Sequence, residues 1–135
     1  MAFLKWDKQY QVNISLIDEQ HKRLFLLIEG FYQALKQKQS KQGIADLLKG
    51  LTEYTIYHFN TEESFMTRHN YPARQQHQSA HKEFIETVKD FQTRLEQGRL
   101  LLPLEVGNFL KEWLANHILI ADKQAALFLI QKGVT

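Results

Sequence analysis

The sequence predicts an all-α protein: an up-down-up-down antiparallel four-helix bundle with an N-terminal arm. Apolar residues recur at steps of three and four along four long segments, which is the period of amphipathic helices. Only two prolines occur, Pro72 and Pro103, and both fall between these segments. The connections between the segments are short, and short connections make consecutive helices antiparallel. We therefore expect one domain that covers residues 1–135.

Local signals place the arm and the helices. The arm contains aromatic residues and a short apolar alternation without a helical period. Asp18 is predicted to be the N-cap of the first helix, because an aspartate there accepts a bond from a free backbone N–H. Pro103 suits the first turn of the fourth helix. The arm is predicted over about residues 1–17, and the helices over about 18–38, 41–68, 73–97 and 103–131.

The composition excludes several kinds of site. The chain has no cysteine, which rules out disulfides, thiolate zinc sites, iron–sulfur clusters and a cysteine nucleophile. The net charge of +2 is spread without a block of one sign, so we expect no nucleic-acid partner. The Lys/Gln-rich stretch 36–42 is interpreted as a solvated turn. No apolar run has the length of a membrane span or a signal peptide, so we expect a cytoplasmic protein without a membrane span.

Histidines occupy the apolar stripes of the predicted helices. A single core histidine is usually a hydrogen-bonded structural residue, but several together would leave ring nitrogens unpaired, at roughly 1–3 kcal/mol each. A metal ion would pair all of them at once, and residues four apart present two ligands on one helical face. His69 follows the last turn of the second helix and is predicted not to be a ligand. The five histidines on the stripes are His21, His58, His77, His81 and His117.

The predicted helices place these histidines at similar heights. His21 and His58 lie 19 and 18 residues from the turn between their helices. His81 and His117 lie 19 and 17 residues from the turn between theirs. At about 1.5 Å per residue, each antiparallel pair is level to within a few ångströms. The second and third helices match less well, because His58 lies about 12 residues before their connection and His77 about six after it.

Two carboxylates are candidates to join the histidines. Glu62 lies on the stripe of the second helix, four residues after His58, whereas Glu63 is expected to face outward. Asp122 lies five residues after His117, which is about 140° away from it at 100° per residue. The side chain of Asp122 could therefore reach the histidines only by approaching them from the side of the fourth helix or through a local bulge in that helix. π-Bulges are frequent at functional sites.

Four motifs follow one another along the chain: WDKQYQVNISLIDEQHKRLF (6–25), HFNTEE (58–63), HQSAH (77–81) and WLANHILIAD (113–122). In this order they resemble the motifs of the hemerythrins, and most closely those of the bacterial single-domain hemerythrins. The stretch WDKQYQVNISLIDEQHKRLF (6–25) is similar to the family's tryptophan-containing arm and its D-x-Q-H-type motif. HFNTEE (58–63) is similar to its H-x-x-x-E motif, and HQSAH (77–81) to its H-x-x-x-H motif. WLANHILIAD (113–122) is similar to its W-x-x-x-H-x-x-x-x-D motif. The resemblance covers nearly the whole chain.

The resemblance implies a non-haem di-iron centre that reversibly binds dioxygen, for carriage, storage or local delivery. It implies two iron ions per chain, bridged by carboxylates and by an oxo or hydroxo group. One iron would then have six ligands and the other five, which leaves one open position for dioxygen. Three apolar residues are expected to wall that position: Leu24, Trp113 and Ile120. The implied ligands are His77, His81 and His117 for one iron, His21 and His58 for the other, and Glu62 and Asp122 as bridges.

Other roles remain open from the sequence: a sensor of dioxygen or redox state, a di-iron enzyme acting on peroxide or nitric oxide, and iron handling. Five imidazoles and two carboxylates contain fewer anionic donors than the carboxylate-rich sites of di-iron oxidases, so we expect binding and no enzymatic activity. A carboxylate-bridged, six-coordinate pair does not suit zinc, although such donors also bind other first-row metals. We expect a monomer whose partners are dioxygen and an unidentified delivery protein or reductase.

Overall fold

A computed structural model describes residues 3–135, and that range contains long helices and no strand. α1 packs against α2 and against α4, and α2 packs against α3. The predicted all-α four-helix bundle is confirmed. The first three helices are α1 (Ser15–Lys36), α2 (Lys41–Arg68) and α3 (Arg74–Glu96). The fourth helix of the bundle has three consecutive pieces: α4 (Pro103–Asn116), a π-helical turn (His117–Asp122) and α5 (Lys123–Gln131).

Short connections and local caps fix the order of the helices. The side-chain Oγ of Ser40 accepts a hydrogen bond of 3.1 Å from the backbone N–H of Gly43 and caps α2. Pro103 occupies the first turn of α4, where its missing N–H costs nothing. α1 buries Leu24, Ile28 and Phe31 completely against its neighbours, and each such side chain stabilises the fold by roughly 1.5–3 kcal/mol. No helix within residues 3–135 is both long enough and apolar enough to cross a bilayer.

The start of α1 differs from the prediction, because α1 begins at residue 15 and Asp18 is not its N-cap. The residue before the helix is Ile14, whose side chain makes no capping bond. The carboxylate of Asp18 lies in the first turn and accepts hydrogen bonds from the backbone N–H groups of Val12 (2.8 Å) and Asn13 (3.1 Å). A carboxylate is favoured near a helix N-terminus. In this chain it also ties the arm to the first helix.

Candidate metal centre

The five stripe histidines and two carboxylates meet in the interior of the bundle. None of the seven side chains is more than 8% exposed. They form two groups, and within each group one nitrogen or oxygen atom of every side chain lies within 4.8 Å of those of the others. Both groups contain both carboxylates. The first group is Glu62, His77, His81, His117 and Asp122, and the second is His21, His58, Glu62 and Asp122.

Asp122 stands at the centre of this cluster. Its Oδ1 lies 2.9 Å from Nε2 of His77 and 3.1 Å from Nε2 of His117. Its Oδ2 lies 3.1 Å from Nε2 of His21. One carboxylate oxygen therefore faces each group of histidines, as a carboxylate that joins two cations would.

Glu62 connects the same two groups from α2. Its Oε1 lies 3.3 Å from Nε2 of His58 and 3.3 Å from Nε2 of His81. Its Oε2 lies 3.9 Å from Nε2 of His21. Helical spacing explains this placement, because residues four apart share one face of α2.

The π-helical turn His117–Asp122 brings Asp122 to the cluster. A π turn holds one more residue than an α turn. Residues five apart, which diverge in an α-helix, thus face the same side in this turn. The sequence left a sideways approach and a local bulge open, and the structure contains the bulge.

Four buried polar atoms of the cluster have no hydrogen-bond partner: both ring nitrogens of His21, Oε1 of Glu62 and Oδ1 of Asp122. Nε2 of His21 is close to Asp122, but the two groups are not oriented for a hydrogen bond. Orphaned buried polar atoms are costly and normally signal an ion or a partner. Neutral imidazoles and carboxylates around one point suit a first-row transition metal. The residues therefore fit metal ions.

Residues 12–126 match the family described as Hemerythrin HHE cation binding domain, and this range contains all seven cluster residues. The chain belongs to the hemerythrin family. It is 34% identical to the bacteriohemerythrin of Pseudomonas aeruginosa (strain LESB58) over 122 residues, which cover 87% of this chain and 76% of that protein. It is 26% identical to the bacteriohemerythrin of Methylococcus capsulatus, covering 91% of this chain and 94% of that one. A crystal structure of wild-type hemerythrin is 25% identical and aligns with a TM-score of 0.88, over 95% and 98% of the two chains.

Three residues were expected to wall an open position for dioxygen; the structure contradicts this for Ile120, and for Trp113 and Leu24 it stays a prediction. Ile120 is 62% exposed and faces solvent, because the π turn rotates it away from the direction that a regular helix would give it. Trp113 stacks on the ring of His117, with centroids 4.4 Å apart and planes 13° apart, so it borders the three-histidine group. Leu24 is buried in the core three residues after His21, and its role at the open position stays a prediction.

The carboxylates stay charged despite their burial. Burial raises the pKa of Asp122, but the attraction of the close imidazoles of His117, His21 and His77 outweighs it and holds that pKa well below its usual range. Burial and Asp122 raise the pKa of Glu62, whereas His58 and His81 lower it, with a net result of about 2. The cluster therefore offers two anionic groups to cations.

Two histidines of the metal-free site have a raised pKa, His21 and His81, and His58 has a lowered one. Burial lowers the pKa of His21, but the attraction of Asp122 and Glu62 outweighs that effect. Burial lowers the pKa of His81, but the close carboxylate of Glu62 and the hydrogen bond to Glu63 raise it to about 9. Burial lowers the pKa of His58, and the attraction of Glu62 offsets only part of that effect. A metal ion must displace the proton of His81, so metal uptake by this site releases protons.

Two contacts outside the cluster orient its histidines, and the sequence analysis missed both. Nδ1 of His58 donates to Oε1 of Gln20 at 2.7 Å. Nδ1 of His81 donates to Oε2 of Glu63 at 2.7 Å, so the expectation that Glu63 faces outward was wrong. With Nδ1 used for donation, a neutral ring presents the lone pair of Nε2 to the cluster. The general pairing of metal-binding histidines with a carboxylate or carbonyl would have pointed to such acceptors.

We expect Glu63→Ala to weaken metal binding by about 10–100-fold, the effect usual for a group that orients a ligand. The measurement is competition with a chelator. Glu86→Ala is the matched control, because Glu86 is exposed and lines the same surface groove between α2 and α3 without a bond to a cluster histidine. Glu63→Gln keeps an acceptor oxygen and should retain part of the affinity. Equal affinities for Glu63→Ala and Glu86→Ala would contradict the orienting role.

His69 lies outside both groups, as the residue that follows the last turn of α2. We expect His69→Ala to keep the wild-type metal content and His77→Ala to lose metal, because His77 is a member of the cluster in contact with Asp122 and His69 is not. The measurement is metal per chain after identical loading. Loss of metal from His69→Ala with retention in His77→Ala would contradict the assignment on α2 and α3.

Proposed function

We propose that this chain holds two non-haem iron ions and reversibly binds dioxygen, for carriage, storage or local delivery. One observation supports this most directly: the two ligand groups share both carboxylates but have unequal numbers of histidines. The three-histidine group offers five side chains and the two-histidine group four. The two-histidine group would therefore hold its iron with one protein ligand fewer, which would leave room for dioxygen at that iron.

The side chains around such a site have different roles: some bind the iron ions, and others orient the iron ligands. When bound, a ferrous pair supplies the electrons for reversible dioxygen binding. Asp122 and Glu62 hold the two positions together, since each has oxygen atoms near histidines of both groups. Gln20 and Glu63 fix the rings of His58 and His81, which keeps the ligand atoms in place during repeated binding and release.

Apolar packing leaves little room for water beside the carboxylates. The space next to Glu62 and Asp122 is a cavity of only about 10 Å³, which has room for one water molecule at most. No lining side chain other than the two carboxylates has a polar group. Such walls restrict the access of protons and bulk water, which favours binding over oxidation of the site. Apart from the two carboxylates, the lining residues are Ile14, Ile17, Met66, Ala125, Ala126 and Leu129.

The ligand chemistry supports a binding protein over an oxidase. Both groups consist of imidazoles and carboxylates, and the chain has no cysteine that could act as a thiolate nucleophile. Carboxylate-rich di-iron sites on four-helix bundles have a larger share of anionic donors. Peroxide or nitric-oxide chemistry, sensing and iron handling are therefore secondary candidates.

The test combines metal analysis with optical cycling. The iron-loaded protein is reduced without air, exposed to dioxygen and then purged, while its absorbance is recorded over several cycles. We expect about two irons per chain and a spectrum that returns to the reduced state after each purge. Asp122→Asn is the control that should lose the oxygenated spectrum. Irreversible oxidation in the first cycle, with peroxide release, would overturn the proposal in favour of an enzyme.

A further inference from the structure

Three leucines protrude at the end of the bundle that contains the α1–α2 turn (37–40) and the α3–α4 loop (97–102), which we call the loop end. Leu100 is 73% exposed and Leu102 is 49% exposed, while Leu101 between them is buried. Leu104, in the first turn of α4, is 67% exposed. Large apolar side chains grouped on a surface, unlike single ones, usually mark an interaction site.

The protruding leucines are held in place by contacts with the bundle. Arg94 donates from Nη2 to the carbonyl oxygen of Leu100 at 3.2 Å and from Nη1 to Oε1 of Glu105 at 3.1 Å. Leu101 is only 5% exposed and anchors the loop in the core. Pro103 then starts α4. The exposed leucines are therefore a fixed feature of this surface.

The same end carries a strong excess of positive charge. Residues 36–42 and 96–102 contain four cationic side chains and one acidic side chain, a net charge of +3, whereas the whole chain has +2. All five of these side chains are exposed. The cationic residues are Lys36, Lys38, Lys41 and Arg99, and the acidic residue is Glu96.

A groove separates the two connections at this end. Its volume is about 350 Å³. Three cationic residues, Lys38, Lys41 and Arg99, line it above apolar side chains that include Leu35 and Leu95. The groove thus combines a cationic rim with an apolar floor, next to leucines that project from the surface.

We propose that the loop end docks on the surface of an anionic lipid bilayer. The exposed leucines of the loop end are not buried in the chain's own core, but they can enter the apolar boundary of a bilayer. Exposed lysine and arginine side chains around them are attracted to anionic headgroups, and the groove gives a lipid phosphate a cationic rim. An acidic protein would match the charges but would leave the projecting leucines without an apolar medium. Since no helix of residues 3–135 can span a bilayer, this contact is peripheral.

The docking surface is separate from the metal cluster. His21 lies 15 residues before the end of α1, which is about 22 Å along the helix axis. Substitutions at the loop end should therefore leave metal binding intact. The proposal does not depend on iron or dioxygen chemistry.

The test measures co-flotation of the metal-loaded chain, residues 1–135, with vesicles of phosphatidylcholine alone or with about one-third phosphatidylglycerol. We expect binding at least about tenfold stronger to the anionic vesicles at about 0.15 M salt. Leu100→Ser with Leu102→Ser should remove at least about nine-tenths of that binding. The matched control is Leu26→Ser with Leu127→Ser, because Leu26 and Leu127 are 66% and 65% exposed on other surfaces.

A second pair of variants tests the charges without touching the leucines. Lys38→Glu with Lys41→Glu should abolish binding to anionic vesicles, whereas Lys82→Glu with Lys89→Glu, on the exposed face of α3, makes the same change in net charge and should preserve it. Equal binding to both kinds of vesicle would overturn the proposal. Equal losses in the loop-end and control variants would also overturn it, as would binding to polyglutamate without binding to vesicles, which would favour an acidic protein partner.

Discussion

Asp122→Asn should lose at least about half of the bound iron, and the remaining iron should no longer form a bridged pair. Asp122 has oxygen atoms within 3.1 Å of His21, His77 and His117, so it touches both groups of ligands. An amide of the same shape keeps one oxygen but removes the negative charge that both cations would share. The loss should therefore exceed the effect of altering a residue that contacts only one histidine, such as Glu63.

The measurement is iron per chain after anaerobic loading, together with the absorbance of the oxidised site. Asp90→Asn is the matched control, since it makes the same chemical change at an exposed position on α3 outside the cluster. Asp90→Asn should retain the wild-type iron content. Full, spectroscopically normal loading of Asp122→Asn would show that Asp122 is not a bridging ligand.

Removing the metal should lower the unfolding midpoint by about 10 °C or more. The metal-free core keeps two buried carboxylates and unpaired nitrogen atoms on His21, and the unfolded chain has no preformed site. Metal binding is therefore linked to folding, and a ligand at about 100 times its dissociation constant adds about 2.7 kcal/mol of stability. For a chain of this size, each kcal/mol corresponds to about 4 °C.

Thermal unfolding before and after chelation under reducing conditions measures this shift. The same experiment on Asp122→Asn provides the control, because a variant that does not hold the metal pair should show little or no change on chelation. Identical midpoints for the wild-type protein with and without metal would mean that the cluster contributes nothing to folding.

Helical periodicity alone was sufficient to predict the bundle and six of the seven inward-facing cluster residues. The period of 3.6 residues specifies which side chains share a face, so His58 with Glu62 and His77 with His81 could be recognised as pairs. α2 has the bounds that the sequence indicated, because Ser40 is a strong cap signal at its start. Asp122 was placed by the resemblance to the hemerythrins, since its distance from His117 does not fit a regular helix.

The sequence by itself determined the fold class, the buried stripes and the residue types that gather within them, because these follow from local periodicity and composition. Only the tertiary structure showed how the side chain of Asp122 reaches the cluster, which is through the π turn His117–Asp122. That turn also moved Ile120 to the surface. The bonds from His58 to Gln20 and from His81 to Glu63 join different helices. The π turn is a one-residue change in helical register, and the two bonds are contacts between helices. Both depend on how whole helices pack, so the spacing of residues along a single helix does not predict them.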